Sequence, residues 1–203
     1  MRTLLFTESA YVSNLILCIA LLNYKRKEVV IICFIIIVFL MYFYRYPCRD
    51  SSMLNDKCIV SPCDGTILDI KQTEDLYHIK VFLSVFDVHT QWYPVDGTIQ
   101  SVQYKPGEFN IAYILEKSDF NEKMSTVIKN RKGVLRVDQI AGQIATRIVN
   151  RSIENTKITR GDYMGMIKLS SRVDIFLPIS KVKLLCRVQD KVKGNKTVLA
   201  EWN

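Results

Sequence analysis

Two uncharged apolar stretches stand at the start of the hydrophobic and polar pattern along the chain. Residues 29–44, VVIICFIIIVFLMYFY, carry no charged side chain, and residues 12–22, VSNLILCIALL, are a shorter stretch of the same kind. The polar hexapeptide NYKRKE at 23–28 separates them. Isoleucine and phenylalanine would occur all round a helix built from 29–44, which favours lipid surroundings over packing on one face. The pattern predicts an α-helical membrane hairpin over residues 1–44.

The hairpin can meet a membrane in two ways that its sequence leaves open. A helix of the sixteen residues 29–44 is about 24 Å long, whereas the hydrocarbon core of a bilayer is about 30 Å thick. Crossing twice and lying as a wedge in one leaflet are therefore both open. A cleaved signal peptide is disfavoured, because only Arg2 supplies a basic start and no small-residue cleavage site follows Leu22. Basic residues lie both in the loop and at the outer ends, so they do not indicate an orientation.

From Cys58 onward the pattern changes to short segments rich in branched and aromatic residues, bounded by Gly, Pro, Asn or Asp. This is typical of strands and turns. We predict that residues 45–203 form a mainly β domain, a sandwich or barrel, with residues 45–56 as the boundary. Residues 137–150 also fit a helix, but Gly142 allows two strands with a bend, which we favour. The predicted strands lie within these segments: 58–70, 77–94, 96–106, 124–130 and 181–188.

One short motif occurs twice in the β region. PCDGTI at 62–67 returns as PVDGTI at 94–99, a spacing of thirty-two residues. Asp-Gly between apolar residues is typical of a tight hairpin turn, because glycine adopts the positive φ that such a turn needs. The repeat therefore predicts two similar turns from a duplicated strand pair.

The segment GMIKLSSRVDIFLP, residues 165–178, is predicted to be one strand near the end of the chain. Alternation would place Ser171 on the same face as Ile167, Leu169, Val173 and Ile175. Ser171 would then be a hydroxyl in an apolar face. From this strand alone, the favoured interpretation is a buried serine that hydrogen-bonds to nearby backbone and has no further role.

His89 has a similarly apolar setting within FLSVFDVHTQWYP, so it is predicted to be either a core residue or a catalytic one. The six cysteines have no framework spacing, and with only two histidines we expect no metal site. Free thiols favour the cytoplasmic side for the β domain. The formal net charge of +8 suits an anionic partner. Beside a membrane anchor, anionic phospholipid is a better candidate than nucleic acid, because the basic residues are dispersed.

A series of ordered motifs resembles the small, pyruvoyl-dependent phosphatidylserine decarboxylases. VSPCDGTI resembles the family's Ser-Pro-Ala-Asp-Gly motif, and FLSVFDVHTQWYPVDGTI its Phe-Asp-Val-His strand and following turn. GDYMGMIKLSSRVDIFLP resembles the family's C-terminal block ending in Gly-Ser-Arg-Val-Asp. Four further segments also match in order: FYRYPCR at 43–49, KPGEF at 105–109, NEK at 121–123 and VDQIAGQIATRIV at 137–149.

The resemblance implies a use for Ser171. Members are made as proenzymes that cut themselves before this serine and convert it into an N-terminal pyruvoyl group, with no metal. By the family pattern His89 is the base and Asp64 orients it, so that Asp64, His89 and Ser171 resemble a hydrolase triad. Cleavage between Ser170 and Ser171 would leave subunits of residues 1–170 and 171–203, held as a heterodimer. Whether that unit forms a homo-oligomer stays open.

The implied reaction converts phosphatidylserine in the membrane into phosphatidylethanolamine and carbon dioxide through a Schiff base with the pyruvoyl group. Residues 45–203 would be the decarboxylase domain, on the cytoplasmic face. Ser170 departs from the family's glycine and could slow self-cleavage. Two other functions are therefore open: an unprocessed homologue that binds anionic lipid, and a serine hydrolase, which is disfavoured because no Gly-x-Ser-x-Gly elbow is present.

Overall fold

The chain divides into two compact units, residues 1–46 and 47–203. The structure is a computed structural model that describes residues 3–142, 148–168 and 171–203. The predicted cleavage position Ser170 lies outside the described residues.

The first unit consists of two helices, α1 (Thr3–Leu22) and α2 (Lys27–Phe43), which pack against each other. Asn23 ends α1: its backbone N and its side-chain Nδ2 both donate to the Ile19 carbonyl, at 3.1 and 2.9 Å. Arg45 donates to the Tyr42 carbonyl at 2.7 Å, which satisfies one of the last carbonyls of α2. Two helices thus lie over the two apolar stretches, and α1 begins well before residue 12. Their insertion in a membrane as a hairpin stays a prediction.

Apolar side chains cover the outside of this unit as well as its helix interface. Leu22 is 84% exposed, Phe34 66% and Met41 69%. Among the described residues, no helix combines the length and the apolar character that crossing a bilayer requires.

The second unit is built from β-strands in three sheets, counted over the described residues. The largest has the strand order β13-β2-β3-β11-β7-β6-β5-β9, and two three-stranded sheets have the orders β1-β14-β12 and β4-β10-β8. All pairings within them are antiparallel. One short helix, α3 (Leu115–Ser118), and a 3₁₀ turn (Ile179–Lys181) complete the unit. The strands are β1 (Cys58–Val60), β2 (Gly65–Gln72), β3 (Leu76–Leu83), β4 (Thr90–Trp92), β5 (Gly97–Lys105), β6 (Lys123–Lys129), β7 (Val134–Ala141), β8 (Ile148–Asn150), β9 (Lys157–Ile158), β10 (Tyr163–Ile167), β11 (Ser171–Pro178), β12 (Val182–Leu184), β13 (Lys191–Val192) and β14 (Val198–Trp202).

The core lies on one face of the large sheet. Alternate residues of its central strands, such as Ile79 and Val81 on β3 and Val173 and Ile175 on β11, are fully buried. They pack in one cluster with residues of the small sheets, including Leu199 on β14. Each β-branched or aliphatic side chain sits on the pleat that faces this cluster. The predicted mainly β fold is therefore confirmed.

The repeated Asp-Gly motif marks a duplicated strand pair but not a hairpin. β1 and β2 are followed thirty-two residues later by β4 and β5, yet neither pair is hydrogen-bonded within itself. Instead, the last residue of each first strand donates to the segment that follows the other. The Trp92 amide at the end of β4 donates to the Pro62 carbonyl at 2.9 Å, and the Val60 amide at the end of β1 donates to the Pro94 carbonyl at 3.1 Å. The predicted hairpin turns are wrong, because each strand finds its partner elsewhere in the chain.

The predicted single strand over 165–178 is also wrong. Its first part belongs to β10, in a small sheet beside β4 and β8, and its last part is β11, in the large sheet between β3 and β7. The segment 137–150 forms strands β7 and β8 as predicted, with Gly142 outside both strands. The predicted strand segment 77–94 contains His89, but in the structure His89 lies in the connection from β3 to β4, just before β4.

Candidate active site

Ser171 opens β11 at the centre of the large sheet. It pairs with Leu83 on β3 and with Ala141 on β7, and it faces the same side as Val173 and Ile175. All five residues are fully buried. The predicted position of a hydroxyl in an apolar face is therefore confirmed for Ser171, Val173 and Ile175, whereas Ile167 lies on β10 in another sheet.

The Ser171 Oγ is buried and has no hydrogen-bond partner among the described residues. Burying a hydroxyl without a partner costs about 1–3 kcal/mol, so a serine with only a structural role would normally have one. The interpretation that Ser171 is a buried serine bonded to nearby backbone finds no support in the described part of the chain.

His89 is reached by a short connection that starts opposite Ser171. The chain leaves β3 at Leu83 and makes a turn in which the Ser84 amide donates to the Asp87 carboxylate at 2.8 Å. The His89 ring is fully buried, and its Nδ1 lies 3.0 Å from the Asp87 carbonyl oxygen. Since a carbonyl oxygen only accepts, Nδ1 carries the hydrogen and Nε2 carries the lone pair in the neutral ring. That tautomer is the one a general base needs at Nε2.

Asp64 is buried and forms an ion pair with Arg49, a residue for which the sequence predicted no role. Arg49 donates to both carboxylate oxygens, with Nη2 and Oδ2 2.7 Å apart. The Gly194 amide donates to Asp64 Oδ1 at 2.8 Å, and Arg49 also donates to the Gly194 carbonyl at 2.8 Å. The guanidinium lies 4.8 Å from the centre of the Trp92 ring. A bidentate, partly buried ion pair of this kind fixes the orientation of both side chains and also neutralises the Asp64 charge.

Asp96 is the counterpart of Asp64 in the repeated motif, and a comparison of the two carboxylates shows which contacts they share. Asp96 stands thirty-two residues after Asp64 and accepts a hydrogen bond from the Arg160 amide at 2.8 Å, as Asp64 does from Gly194. Asp96 is exposed, whereas Asp64 is buried beneath Arg49. The backbone bond is therefore a feature of the repeated fold, and the Arg49 pair is specific to Asp64.

Two of the three predicted site residues have hydrogen-bond partners among the described residues, and these partners differ. Asp64 bonds to Arg49 and Gly194, and the His89 ring bonds to the Asp87 carbonyl. A hydrogen bond donated by His89 to the Asp64 carboxylate stays a prediction from the resemblance. The available signal for Arg49 was its place at the end of FYRYPCR, a segment that resembles the family.

A long connection, residues 106–122, is fastened to the strand position beside Ser171. Asn121 Nδ2 donates to the Ala141 carbonyl at 2.7 Å and to the Asn110 carbonyl at 2.8 Å, while the Asn110 amide donates to Asn121 Oδ1 at 2.8 Å. Asn121 is almost fully buried. Its side chain therefore closes the connection and sets it against the end of β7.

Four exposed aromatic side chains, which we term the aromatic rim, lie on the two connections that reach this end of the sheet. Phe86 is 69% exposed and Phe120 is 70% exposed, and Phe109 and Tyr113 complete the set. The Tyr113 ring meets Phe82 edge to face at 6.0 Å between centroids, which ties the long connection to β3. Exposed large apolar side chains at one end of a sheet are typical of an interaction surface.

The opposite face of β11 carries a buried set of charges. Lys80 and Arg172 are each 1% exposed. Lys80 Nζ lies 3.1 Å from Asp119 Oδ1, and Arg172 donates to Asp119 at 2.5 Å. Arg172 also contacts Asp174, whose Oδ2 lies 2.7 Å from His78 Nε2. Burial acts to raise the pKa of Asp119, but the hydrogen bonds from Arg172 and Lys80 outweigh it and hold that pKa below its usual value. These pairs fasten β11 to β3 and to the end of the long connection.

The thiols and carboxylates that the structure describes form no group able to hold a metal ion. All six cysteines are free. Cys63, next to Asp64, is fully buried, and burial raises the pKa of its thiol well above the usual range. A thiol of that kind is unreactive at neutral pH.

Comparison with known proteins identifies the family. A sequence model described as "Phosphatidylserine decarboxylase" matches residues 36–200. Proteins named phosphatidylserine decarboxylase proenzyme match over most of their length. That of Parabacteroides distasonis is 35% identical over 174 residues, covering 82% of this chain and 79% of the relative. That of Porphyromonas gingivalis is 34% identical over 199 residues, covering 91% and 89%, and that of Ralstonia pickettii is 37% identical over 174 residues, covering 82% and 80%. The chain belongs to the phosphatidylserine decarboxylase family of enzymes.

Proposed function

We propose that this chain is a proenzyme that cuts itself between Ser170 and Ser171 and then converts phosphatidylserine into phosphatidylethanolamine and carbon dioxide. The observation that carries the proposal is the buried Ser171 Oγ, which has no partner among the described residues and opens the central strand of the large sheet. The names of the relatives and the matched family support the substrate and the processing.

The cleavage needs only groups of this chain and one water molecule. Ser171 Oγ loses its proton to a base and attacks the carbonyl carbon of Ser170, and the peptide C–N bond breaks to leave an ester and a free amine on residue 171. A base then removes the α-proton of residue 171, and the ester C–O bond breaks to release the Ser170 carboxylate. The resulting dehydroalanine tautomerises to an imine, which water hydrolyses with loss of ammonia. No oxidant or reductant is needed.

His89 is the proposed base in this sequence. The hydrogen bond of its Nδ1 to the Asp87 carbonyl supports this role, because it leaves the lone pair on Nε2. Asp64 is the proposed acidic member of the set. Its bonds to Arg49 and Gly194 fasten residues 61–64, and the Pro62 carbonyl of that segment accepts from Trp92 at the end of β4. We propose that Asp64 positions His89 through this connection, and the direct pairing that the resemblance implies is the alternative.

The pyruvoyl group proposed at residue 171 would supply a carbonyl that condenses with the substrate amine and accepts the electrons left when carbon dioxide departs. The apolar surroundings of Ser171, formed by Leu83, Ala141 and Val173, support that chemistry. A low local dielectric favours a reaction that consumes a charged carboxylate.

The substrate is a two-chain lipid, so we propose that the enzyme works at a membrane. The apolar outer surface of α1 and α2 supports an anchoring role for the first unit, and the aromatic rim supports contact with lipid at the Ser171 end of the second. Free cysteines support a cytoplasmic location for the β domain. After cleavage the two subunits would stay together, because β11 is hydrogen-bonded on both sides to strands of the larger subunit.

The intact mass of the purified chain in detergent tests the proposal, with Ser171→Ala as the control. The expected products are residues 1–170 and a 33-residue fragment, 171–203, lighter by one ammonia and blocked at its N-terminus. The control should stay whole. A single uncut chain in a folded wild-type preparation would overturn the mechanism and favour the unprocessed lipid-binding homologue. Reaction of an intact Ser171 with a fluorophosphonate would favour a serine hydrolase.

A further inference from the structure

We propose that a buried row of three side-chain amides, Gln91, Gln139 and Asn150, positions His89 relative to Ser171. We call this row the amide chain. The inference rests on the proposed self-cleavage, and it adds positioning residues that neither the resemblance nor the matched family assigns.

The amide chain runs from a small sheet into the large one and back. Gln91 Nε2 donates to the His89 carbonyl at 2.5 Å, and Gln139 Nε2 donates to Gln91 Oε1 at 2.8 Å. Asn150 Nδ2 then donates to Gln139 Oε1 at 2.8 Å and to Thr126 Oγ1 at 3.0 Å. Gln91, Gln139 and Thr126 are fully buried. Breaking such a network leaves an unpaired polar group in the interior, which is costly.

The contact at Asn150 determines which group donates and which accepts in every hydrogen bond of the amide chain. The Ser152 amide lies 2.7 Å from Asn150 Oδ1, and a backbone N–H can only donate. This contact identifies the Asn150 oxygen, so its Nδ2 must point to Gln139. Gln139 must then donate to Gln91, and Gln91 to the His89 carbonyl. All three amides therefore donate toward His89.

The absence of a side chain at Gly165 leaves room for the side chain of Gln139. On β10, Gly165 pairs with Gln91 on one side and with Asn150 on the other. A Cβ at this position would lie 2.9 Å from Gln139 Nε2 and 2.1 Å from the Val149 carbonyl oxygen. Only glycine lets the Gln139 side chain pass between its two partners.

The amide chain links the His89 segment to the neighbour of the Ser171 strand. Gln139 lies on β7, where it pairs with Val173 of β11, two residues after Ser171. Gln91 lies two residues after His89 and holds the His89 carbonyl, while the Asp87 carbonyl holds the ring. The backbone and the ring of His89 are thus both fixed, and one of the two bonds leads through Gln139 to the sheet that carries Ser171. We infer that this link sets the base against its nucleophile.

Gln139→Glu tests the link through its dependence on pH. The ionised carboxylate of this variant can accept from Asn150 but cannot donate to Gln91, and burial raises the pKa of the introduced carboxyl, so the ionised form is reached at the alkaline end of the pH series. There we expect self-cleavage to be about tenfold slower than in the wild type, the loss that corresponds to one hydrogen bond. Once protonated, the introduced carboxyl has a hydroxyl that donates to Gln91 Oε1 and a carbonyl that accepts from Asn150. Protonation therefore restores the hydrogen bonds of the amide chain. The ratio of the variant rate to the wild-type rate should therefore rise as the pH falls.

Gln72→Glu is the matched control, because Gln72 is exposed on β2 and the substitution is the same. Asn150→Asp is a second variant with the same expected pH signature, and near-ultraviolet circular dichroism in a Ser171→Ala background checks folding. A rate ratio near one at every pH, or a reduced ratio that does not change with pH in both variants, would overturn the positioning role. A wild-type chain that is never cut would overturn the proposed function and this inference with it.

Discussion

The Nδ1 of His89 lies 3.0 Å from the carbonyl oxygen of Asp87, two residues earlier in the chain. The bond places the ring hydrogen on Nδ1, as the carboxylate does in a serine-hydrolase triad, but here a backbone carbonyl supplies the acceptor. The orientation of the ring therefore depends on the turn over Ser84–Asp87, which a substitution at a distant carboxylate does not remove.

His89→Ala should reduce self-cleavage by about 10²–10⁴-fold, the usual contribution of a general base. Added imidazole should restore part of the rate, because the cavity left by the ring can hold it. Cleavage is followed by the intact mass over time after expression at low temperature. The matched control is His78→Gln, since His78 lies on the opposite face of the large sheet, paired with Asp174. Cleavage of His89→Ala at the wild-type rate would exclude His89 as the base.

Asp64→Asn should slow self-cleavage and lower the free energy of unfolding by about 1–3 kcal/mol, because the partly buried Arg49 loses a bidentate partner. If Asp64 acts through Arg49, the double variant Asp64→Asn, Arg49→Gln should be no slower than the single variants. Cleavage rate and thermal stability are measured on the same samples.

The control for Asp64 is Asp96→Asn, at the repeat-related position whose carboxylate is exposed. It should change neither quantity appreciably. If instead Asp64→Asn slows cleavage while Arg49→Gln leaves the rate unchanged, the direct pairing of Asp64 with His89 is the better description.

Local patterns in the sequence predicted the parts of the fold that depend on near neighbours. The alternation of Ser171, Val173 and Ile175 correctly placed the serine in the core face, because side-chain direction in a strand follows from position alone. The apolar stretches predicted both helices for a similar reason. Strand propensity likewise identified most of the strands from Cys58 onward.

Contacts between distant residues could not be predicted in this way. The Asp-Gly motif indicated a hairpin of β1 with β2, but β1 pairs with β14, far along the chain, and β2 pairs with the distant β13 and with the following strand β3. Nothing within GMIKLSSRVDIFLP shows that its two parts join different sheets. The partners of Asp64 lie 15 residues before it and 130 residues after it, so only the folded chain brings them together. The same holds for the amide chain, whose members lie on β4, β7 and β8 and meet only after two sheets have packed.

Asp119→Asn should destabilise the chain by about 1 kcal/mol at neutral pH, because it weakens the compensation of two buried cations, Lys80 and Arg172, while the Asp119 side chain is itself 46% exposed and screened by solvent. The native pKa of Asp119 is lowered, so its stabilising contribution is present above the usual carboxyl pKa and is lost as the pH falls through the native value. The difference between wild type and variant should therefore shrink in acid.

Urea denaturation in detergent at neutral and acidic pH, in a Ser171→Ala background, measures this difference. Asp56→Asn, at an exposed position, is the control and should have little effect. An equal loss for Asp119→Asn at both pH values would show that the carboxylate stabilises through packing rather than through its charge.

The aromatic rim should enter the lipid phase when the full chain binds vesicles of phosphatidylcholine and phosphatidylserine. Phe86→Trp and Phe120→Trp, each in a Ser171→Ala background, place a fluorophore at the most exposed rim positions. Brominated acyl chains quench tryptophan that contacts the hydrocarbon region, so we expect quenching beyond that of the native Trp92 and Trp202, which are buried. Aromatic rings favour the boundary between hydrocarbon and headgroups, which supports shallow insertion.

The control for the rim is Leu76→Trp, because Leu76 begins β3 and Leu83, opposite Ser171, ends it. Eight residues of strand separate the two ends by about 23 Å, more than the depth that a shallow contact reaches. Tryptophan at residue 76 should therefore stay unquenched while the helical unit keeps the chain on the vesicle. Equal quenching at positions 76, 86 and 120 would mean that the β domain has no fixed orientation at the membrane, and quenching at position 76 alone would mean that the Ser171 end faces away from it.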